Sequence, residues 1–305
     1  MTLDLRQPRQ EPRHAPVAAR VSAVLHRRPR LRLAGLLSVP MLWLVVVYLG
    51  SLAVMFVTAF WRLDTSGFAT VLDRSFSLAN FVDLVRTPVY RVVALRTLGI
   101  AVAVTVVDAL IALPMAFYIA KLASVRARRL LMALVVTPLW ASYLVKAYAW
   151  RTMLAQDGVL NWLLQPFGGH GPGFGVVATT LTLAYLWLPY MILPVVTGLE
   201  RIPNSLLEAS SDLGARAGTT LRSVVLPMLF PSIVAGSIFT FSLTLGDYIT
   251  VKIVGGSTQM IANVIYDNIG VAGNLPFAAA TALFPVAAVL LYLALVRRTG
   301  ALENL

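Results

Sequence analysis

Residues 98–120 read LGIAVAVTVVDALIALPMAFYIA, a stretch in which Asp108 is the single charged side chain. A helix needs about 20 mainly apolar residues to cross the hydrocarbon core of a bilayer. The run is continuously apolar and does not alternate every second residue, so it predicts a membrane helix and not a barrel strand. Working outward, five further stretches meet the same test: about Leu33–Phe60, Leu130–Leu154, Val176–Leu199, Val224–Leu245 and Phe277–Val296. The third span, Leu130–Leu154, is less uniform, since it contains Lys146 and Arg151. Prolines at 40, 114, 138, 194, 227, 231 and 285 fall within or beside these stretches. Membrane helices tolerate them because neighbouring helices re-satisfy the freed backbone groups. The whole chain agrees with this reading. Of 305 residues, 58% are hydrophobic and 12% charged, against about 25% charged in an ordinary soluble domain. A mean hydropathy of +0.79 excludes a soluble enzyme, a disordered chain and a fibrous protein. The fold class is an all-α membrane protein of six spans.

The net charge of +12 suggests nucleic acid in a soluble domain, but here it is a topology signal. With six spans, the N-terminal tail, the loops after spans two and four and the C-terminus share one side. That side carries 17 of the 25 Lys and Arg residues, eight of them in the tail. Both termini are therefore expected in the cytoplasm of a cell-membrane protein, with no nucleic-acid partner. The first apolar run far exceeds the 7–15-residue core of a cleaved signal sequence and reads as a retained anchor. Residues 1–16 read as disordered. Val17–Leu33 alternates arginine with Val and Leu, which fits either an amphipathic helix on membrane lipid or an unstructured tail that only fixes topology. The expected organisation is a basic tail over 1–32, a first span and external loop over 33–91, a core over 92–297 and a short tail over 298–305. With no cysteine, disulfides and thiol chemistry are excluded.

The cytoplasmic loop between spans four and five is the most informative non-apolar segment. Residues 199–216 read LERIPNSLLEASSDLGAR, which predicts a short helix over about 205–213. Ser205 and Glu208 have capping-box spacing, Glu208 suits the positive end of the helix dipole, and Gly214 is placed to end the helix. A helix this short is unstable alone in water, so something must hold it.

Glu208-Ala209-Ser210-Ser211-Asp212-Leu213-Gly214-Ala215, followed by Leu226-Pro227 and Pro231, resembles the EAA motif of transmembrane subunits of binding-protein-dependent ABC importers. Ser210 stands where the family usually has a second alanine. The resemblance runs over roughly Val92–Val296, and residues 140–150 (WASYLVKAYAW) and 246–250 (GDYIT) are most similar to permeases of the spermidine/putrescine type. It implies the type I (MetI-like) importer fold, with a coupling helix docked in a cleft on a cytoplasmic ATPase dimer. Ser205, Glu208, Ala209, Asp212 and Gly214 are then the ATPase-coupling residues. The implied partners are that ATPase, which binds ATP and Mg, a second permease forming a heterodimer, and an extracytoplasmic substrate-binding protein. The implied cargo is a polyamine or related organic cation. The chain itself carries no G-x-x-x-x-G-K, no H-E-x-x-H and no G-x-S-x-G, so it reads as a transport subunit, with neither an enzyme site nor a metal site of its own.

Charge at membrane depth is costly and marks function or pairing. Asp108 fits a cation-attracting group on the pathway, a partner for Lys146, or a buried carboxyl bonded to a neighbouring helix. Trp140, Tyr143, Lys146 or Ala147, and Trp150 recur at helical spacing and are expected on one face. Aromatic rings can hold ammonium groups or simply anchor and pack a helix, and Tyr143 and Trp187 are the candidates for the first role. Lys146 argues against a simple cation cage unless it points away. Asp247, at the outer end of span five, is either a substrate group or a helix-end hydrogen-bond acceptor. The candidate pathway residues are thus Asp108, Tyr143, Lys146, Trp187 and Asp247. The competing reading is an ion- or proton-coupled secondary transporter using Asp108 and Lys146.

Overall fold

The computed structural model describes residues 29–64 and 71–297. The tail before residue 29, with the amphipathic helix considered from Val17, lies outside the described residues, as does the C-terminal tail from 298. Of the described residues, those up to Met55 form one compact unit and those from Phe56 onward a second. Among the described residues, five helices are long and apolar enough to span a membrane: α1 (Leu36–Thr58), α3 (Pro88–Leu122), α7 (Val176–Arg201), α9 (Ala217–Leu245) and α12 (Leu275–Arg297). Between α1 and α3, a two-stranded antiparallel hairpin (β1, Arg62–Asp64; β2, Val71–Asp73) leads into α2 (Ala79–Arg86). The buried Asn80 donates to the carbonyls of Ala59 and Trp61 at 3.0 and 2.8 Å and fixes this segment.

The third span departs from the sequence expectation. Leu130–Leu154 reads as one continuous helix, but the structure has α4 (Val125–Trp140) and α5 (Tyr143–Leu154) separated by a break. The axis turns by 97° there, so only the pair can count as a sixth span. Ala141 and Ser142 are extended, with ψ of 142° and 133°, and Pro138 removes a donor from the preceding turn. Trp140, 88% exposed, therefore does not share a face with Tyr143. Beyond the break, Ala147 is the buried member of its pair with Lys146, and it packs with Leu154, Ala178 and Val254.

Helices α3, α7 and α9 form the centre of the second unit. Ala112 and Ala116 of α3 meet Met191, Val195 and Leu199 of α7 and Leu229 of α9 in one apolar cluster. Lipid tails are as apolar as leucine, so close backbone approach through small residues supplies much of the attraction between such helices. Two glycines provide it here. A Cβ on Gly236 would lie 2.7 Å from Met191 Sδ, and one on Gly198 would lie 2.6 Å from Ser232 Cβ. The pairs 198 with 232 and 191 with 236 run in opposite directions, so α7 and α9 are antiparallel. Thr105 of α3 and Thr240 of α9 add a polar contact, and Tyr292 of α12 meets Ser237 at 2.6 Å. Outside this centre, large apolar side chains such as Leu95, Leu110 and Leu290 are more than 60% exposed, as a lipid-facing surface requires. Short helices α6 (Val159–Leu164), α8 (Asn204–Asp212), α10 (Ile249–Val254) and α11 (Ile261–Gly270) connect the spans among the described residues.

Candidate functional site

Helix α9 carries a candidate site near each end. Its 29 residues span about 43 Å at 1.5 Å per residue. Before it lies α8, and just after it lies Asp247.

The α8 site begins one residue earlier than the sequence predicts, at Asn204. Pro203 precedes the helix with φ −64° and ψ 141°. Ser205 is therefore inside the first turn, and the expected Ser205–Glu208 capping box does not form: no side chain caps this helix. The other end is as expected. Gly214 adopts φ +76°, the left-handed conformation that glycine takes at no steric cost. Its N–H donates to Ser211 O at 2.8 Å and that of Ala215 to Ser210 O at 3.1 Å, which is the Schellman pattern. Leu207 packs against the central apolar cluster and Ser210 Oγ meets Thr220 Oγ1 at 2.8 Å. Ser205, Glu208, Ala209 and Asp212 all face outward, beside the exposed Leu206 and Leu213. Glu208 has no hydrogen-bond partner among the described residues. This helix thus offers one face to its own chain and leaves a mixed apolar and acidic face uncovered.

Two contacts that sequence reasoning did not single out secure this end. Lys121, in the last turn of α3, donates from Nζ to Ile202 O at 2.6 Å and to Asn204 Oδ1 at 3.0 Å. Arg128 pairs with Glu200, both partly exposed. Lys121 follows an apolar run directly, and sequence position alone gives no sign that its reach ends 81 residues away.

At the far end of α9, three of the five candidate pathway residues come together. A pocket of about 380 Å³ is lined by Tyr143, Trp187, Ser242, Asp247, Tyr248 and neighbouring backbone. Asp247 is 7% exposed. Its Oδ1 accepts the Thr250 N–H at 2.8 Å, its Oδ2 accepts the Thr250 hydroxyl at 3.1 Å, and Tyr143 Oη donates to Oδ2 in a short contact. Burial pushes the Asp247 carboxyl above the usual carboxylate range, opposed by the hydrogen bonds from Tyr143 and Thr250. The rings of Tyr143 and Trp187 stack at 6.0 Å, and Tyr248 stacks on Tyr266 at 4.6 Å. Thr250 belongs to the site without having been picked from the sequence, although it closes the GDYIT stretch.

Lys146 and Asp108 stand apart from this pocket. Lys146 is one turn along α5 from Tyr143, half-buried, and does not line the cavity. Asp108 is fully buried in α3, and neither carboxyl oxygen has a hydrogen-bond partner among the described residues. The Asp108–Lys146 pair considered from the sequence does not form.

In the second unit, four spanning helices and one bent helix pair, with a short outward-facing helix near one end of α9 and a small acidic, aromatic-walled pocket near the other, have the build of a membrane transport subunit. Comparison with known proteins gives the family. The model of the binding-protein-dependent transport system inner membrane component matches residues 111–300, and the chain belongs to this family of ABC importer permeases. It is a transport subunit and not itself an enzyme, and membership sets aside the secondary-transporter reading. The inner membrane ABC transporter permease protein YdcU of Escherichia coli is 43% identical, over 95% of this chain and 96% of its own length. The spermidine/putrescine transport system permease protein PotB of the same organism is 30% identical, over 79% of this chain and 88% of its own. A solved bacterial ABC transporter involved in import of the acidic polysaccharide alginate superposes with a TM-score of 0.61 at 18% identity. It covers 92% of this chain and 99% of that one, and it supports the type I (MetI-like) fold alone.

Proposed function

We propose that this chain forms one half of the translocation pathway of an importer for small organic cations of the polyamine class. The pocket beside α9 is the observation that carries this reading. A carboxylate held by Tyr143 and Thr250 supplies the charge, and the faces of Trp187 and Tyr248 supply the cation–π walls that an ammonium group prefers over an anion. The similarity to permeases named for spermidine and putrescine points the same way. In this reading α8 lies on the cytoplasmic side, as do both termini, and docks on a separate ATPase that binds ATP and Mg. The 92–297 core pairs with a second, different permease, and an external binding protein delivers the cargo to the Asp247 end. ATP binding closes the ATPase dimer and displaces α8. That displacement travels about 43 Å along α9 to the pocket.

Uptake of labelled putrescine by the assembled importer in proteoliposomes tests this. Replacing Asp247 with Asn removes a charged partner for the ammonium. Hydrogen bonds to charged groups contribute about 1.5–3 kcal/mol, so half-maximal uptake should need about tenfold more cation or beyond. ATP-driven uptake of an anionic or neutral solute, with no competition from putrescine or spermidine, contradicts the substrate class.

A further inference from the structure

We propose that Lys121 is the positioning residue that locks α8 to α3 and α7, so that displacement of α8 carries both spans as one piece. It rests on the reading of α8 as the docking helix. The joint between α7 and α8 consists of Ile202 and Pro203. Proline has no N–H, and the Ile202 carbonyl, at the end of α7, has no intrahelical partner. Left to itself this joint is a hinge. Lys121 reaches across from α3 and closes it, holding the Ile202 carbonyl at 2.6 Å and the Asn204 side chain at 3.0 Å. One ammonium therefore sits on the negative end of the α7 dipole and on the first residue of α8 at once. The C-terminal end of α8 is tied separately, through Ser210 and Thr220, to the first turn of α9. Between them, these contacts connect α8 to all three central spans. The exposed Arg128–Glu200 pair joins α4 to α7 and leaves α8 untouched.

The chemistry of the side chain fits the task. Only three of the 25 basic residues are lysines, Lys121 among them. A compact ammonium with three rotatable donors serves two acceptors that converge on one point, whereas the planar guanidinium fork of arginine does not. Lys121→Arg thus keeps the charge and loses the geometry.

The chain has no cysteine, so two introduced ones report on it specifically once those of the partner subunits are removed. Spin labels at Leu110→Cys, on the lipid-facing side of α3, and Ser211→Cys, on α8, measure the α3–α8 separation in the assembled complex. The separation is read without nucleotide and in the vanadate-trapped state. With Lys121 present it should stay within the about 1–2 Å of ordinary helix adjustments. In Lys121→Met the separation should change between the two states by more than that, and stimulation of ATP hydrolysis by the external binding protein should fall about tenfold. Lys121→Arg should fall between the two. Asn204→Ala removes a single exposed acceptor, leaves the core untouched, and should loosen α8 in the same direction. Unchanged distances in both Lys121→Met and Asn204→Ala overturn the proposal. The docking reading fails separately, if Leu213→Asp on the outer tip of α8 leaves co-purification of the ATPase undiminished.

Discussion

Gly198→Ala puts the packing of α7 on α9 to a direct test. The added methyl would lie 2.6 Å from Ser232 Cβ and 2.9 Å from Leu229 Cδ1, and it would also collide with Ser232 Oγ. Leu229 is fully buried, so its side chain has no free space to enter. A new rotamer of Ser232 moves Oγ but not Cβ, so relief requires the helices to separate. Overpacking of this kind costs about 1–3 kcal/mol. In the purified, detergent-solubilised chain the midpoint of thermal unfolding should drop by several degrees. Ser232→Gly in the same background removes two of the three close atoms and should restore most of the loss. That reciprocal rescue separates a local clash from a general dislike of substitution in a membrane helix. A Gly198→Ala protein that melts with the parent would refute the close approach of the two helices.

Asp108→Asn replaces a fully buried carboxyl that lacks partners with a neutral isostere, and at alkaline pH, where a buried ionised carboxyl costs most, thermal unfolding should occur at a higher temperature than in the parent; a lower midpoint there would show an unrecognised partner. Gly214→Ala forces an L side chain into φ +76°, which costs roughly 1–2 kcal/mol, and should weaken retention of the ATPase on affinity-purified permease without changing expression. In the proposed pathway the ionised Asp247 binds the cation, and burial raises its carboxyl above the ordinary range. Apparent affinity for putrescine should therefore fall on acidification, starting at a higher pH than an exposed aspartate, near 4, would give; a flat profile down to that pH contradicts the role.

The membrane spans were legible because hydropathy sums over twenty residues and tolerates a few exceptions. The same averaging hid the break at Ala141–Ser142, since neither residue is polar enough to interrupt an apolar window and the 97° turn depends on backbone angles. The C-terminus of α8 was legible because left-handed backbone selects glycine, at Gly214. Its N-terminus was not. Ser205 and Glu208 have capping spacing, but the helix starts at Asn204 with Pro203 as its N-cap, and the spacing is then two residues out of phase. In the pocket, Tyr143, Trp187 and Asp247 could be picked by chemistry as aromatic or charged groups in the spans or at their ends. Thr250 could not, because a threonine in an apolar helix more often bonds its own backbone, as Thr97, Thr105 and Thr182 do here. Lys121 was visible as a topology charge, and its reach to Ile202 and Asn204 depends on how α3 and α7 end together.

The most direct test of transport driven through α8 is uptake by reconstituted complexes carrying Glu208→Ala, measured beside ATP hydrolysis in the same vesicles. Glu208 is exposed and without a partner in its own chain among the described residues, so its loss should leave the permease folded. Uptake should collapse while the ATPase itself still binds nucleotide. Full uptake in the variant, or uptake by this chain with no ATPase present, would contradict it.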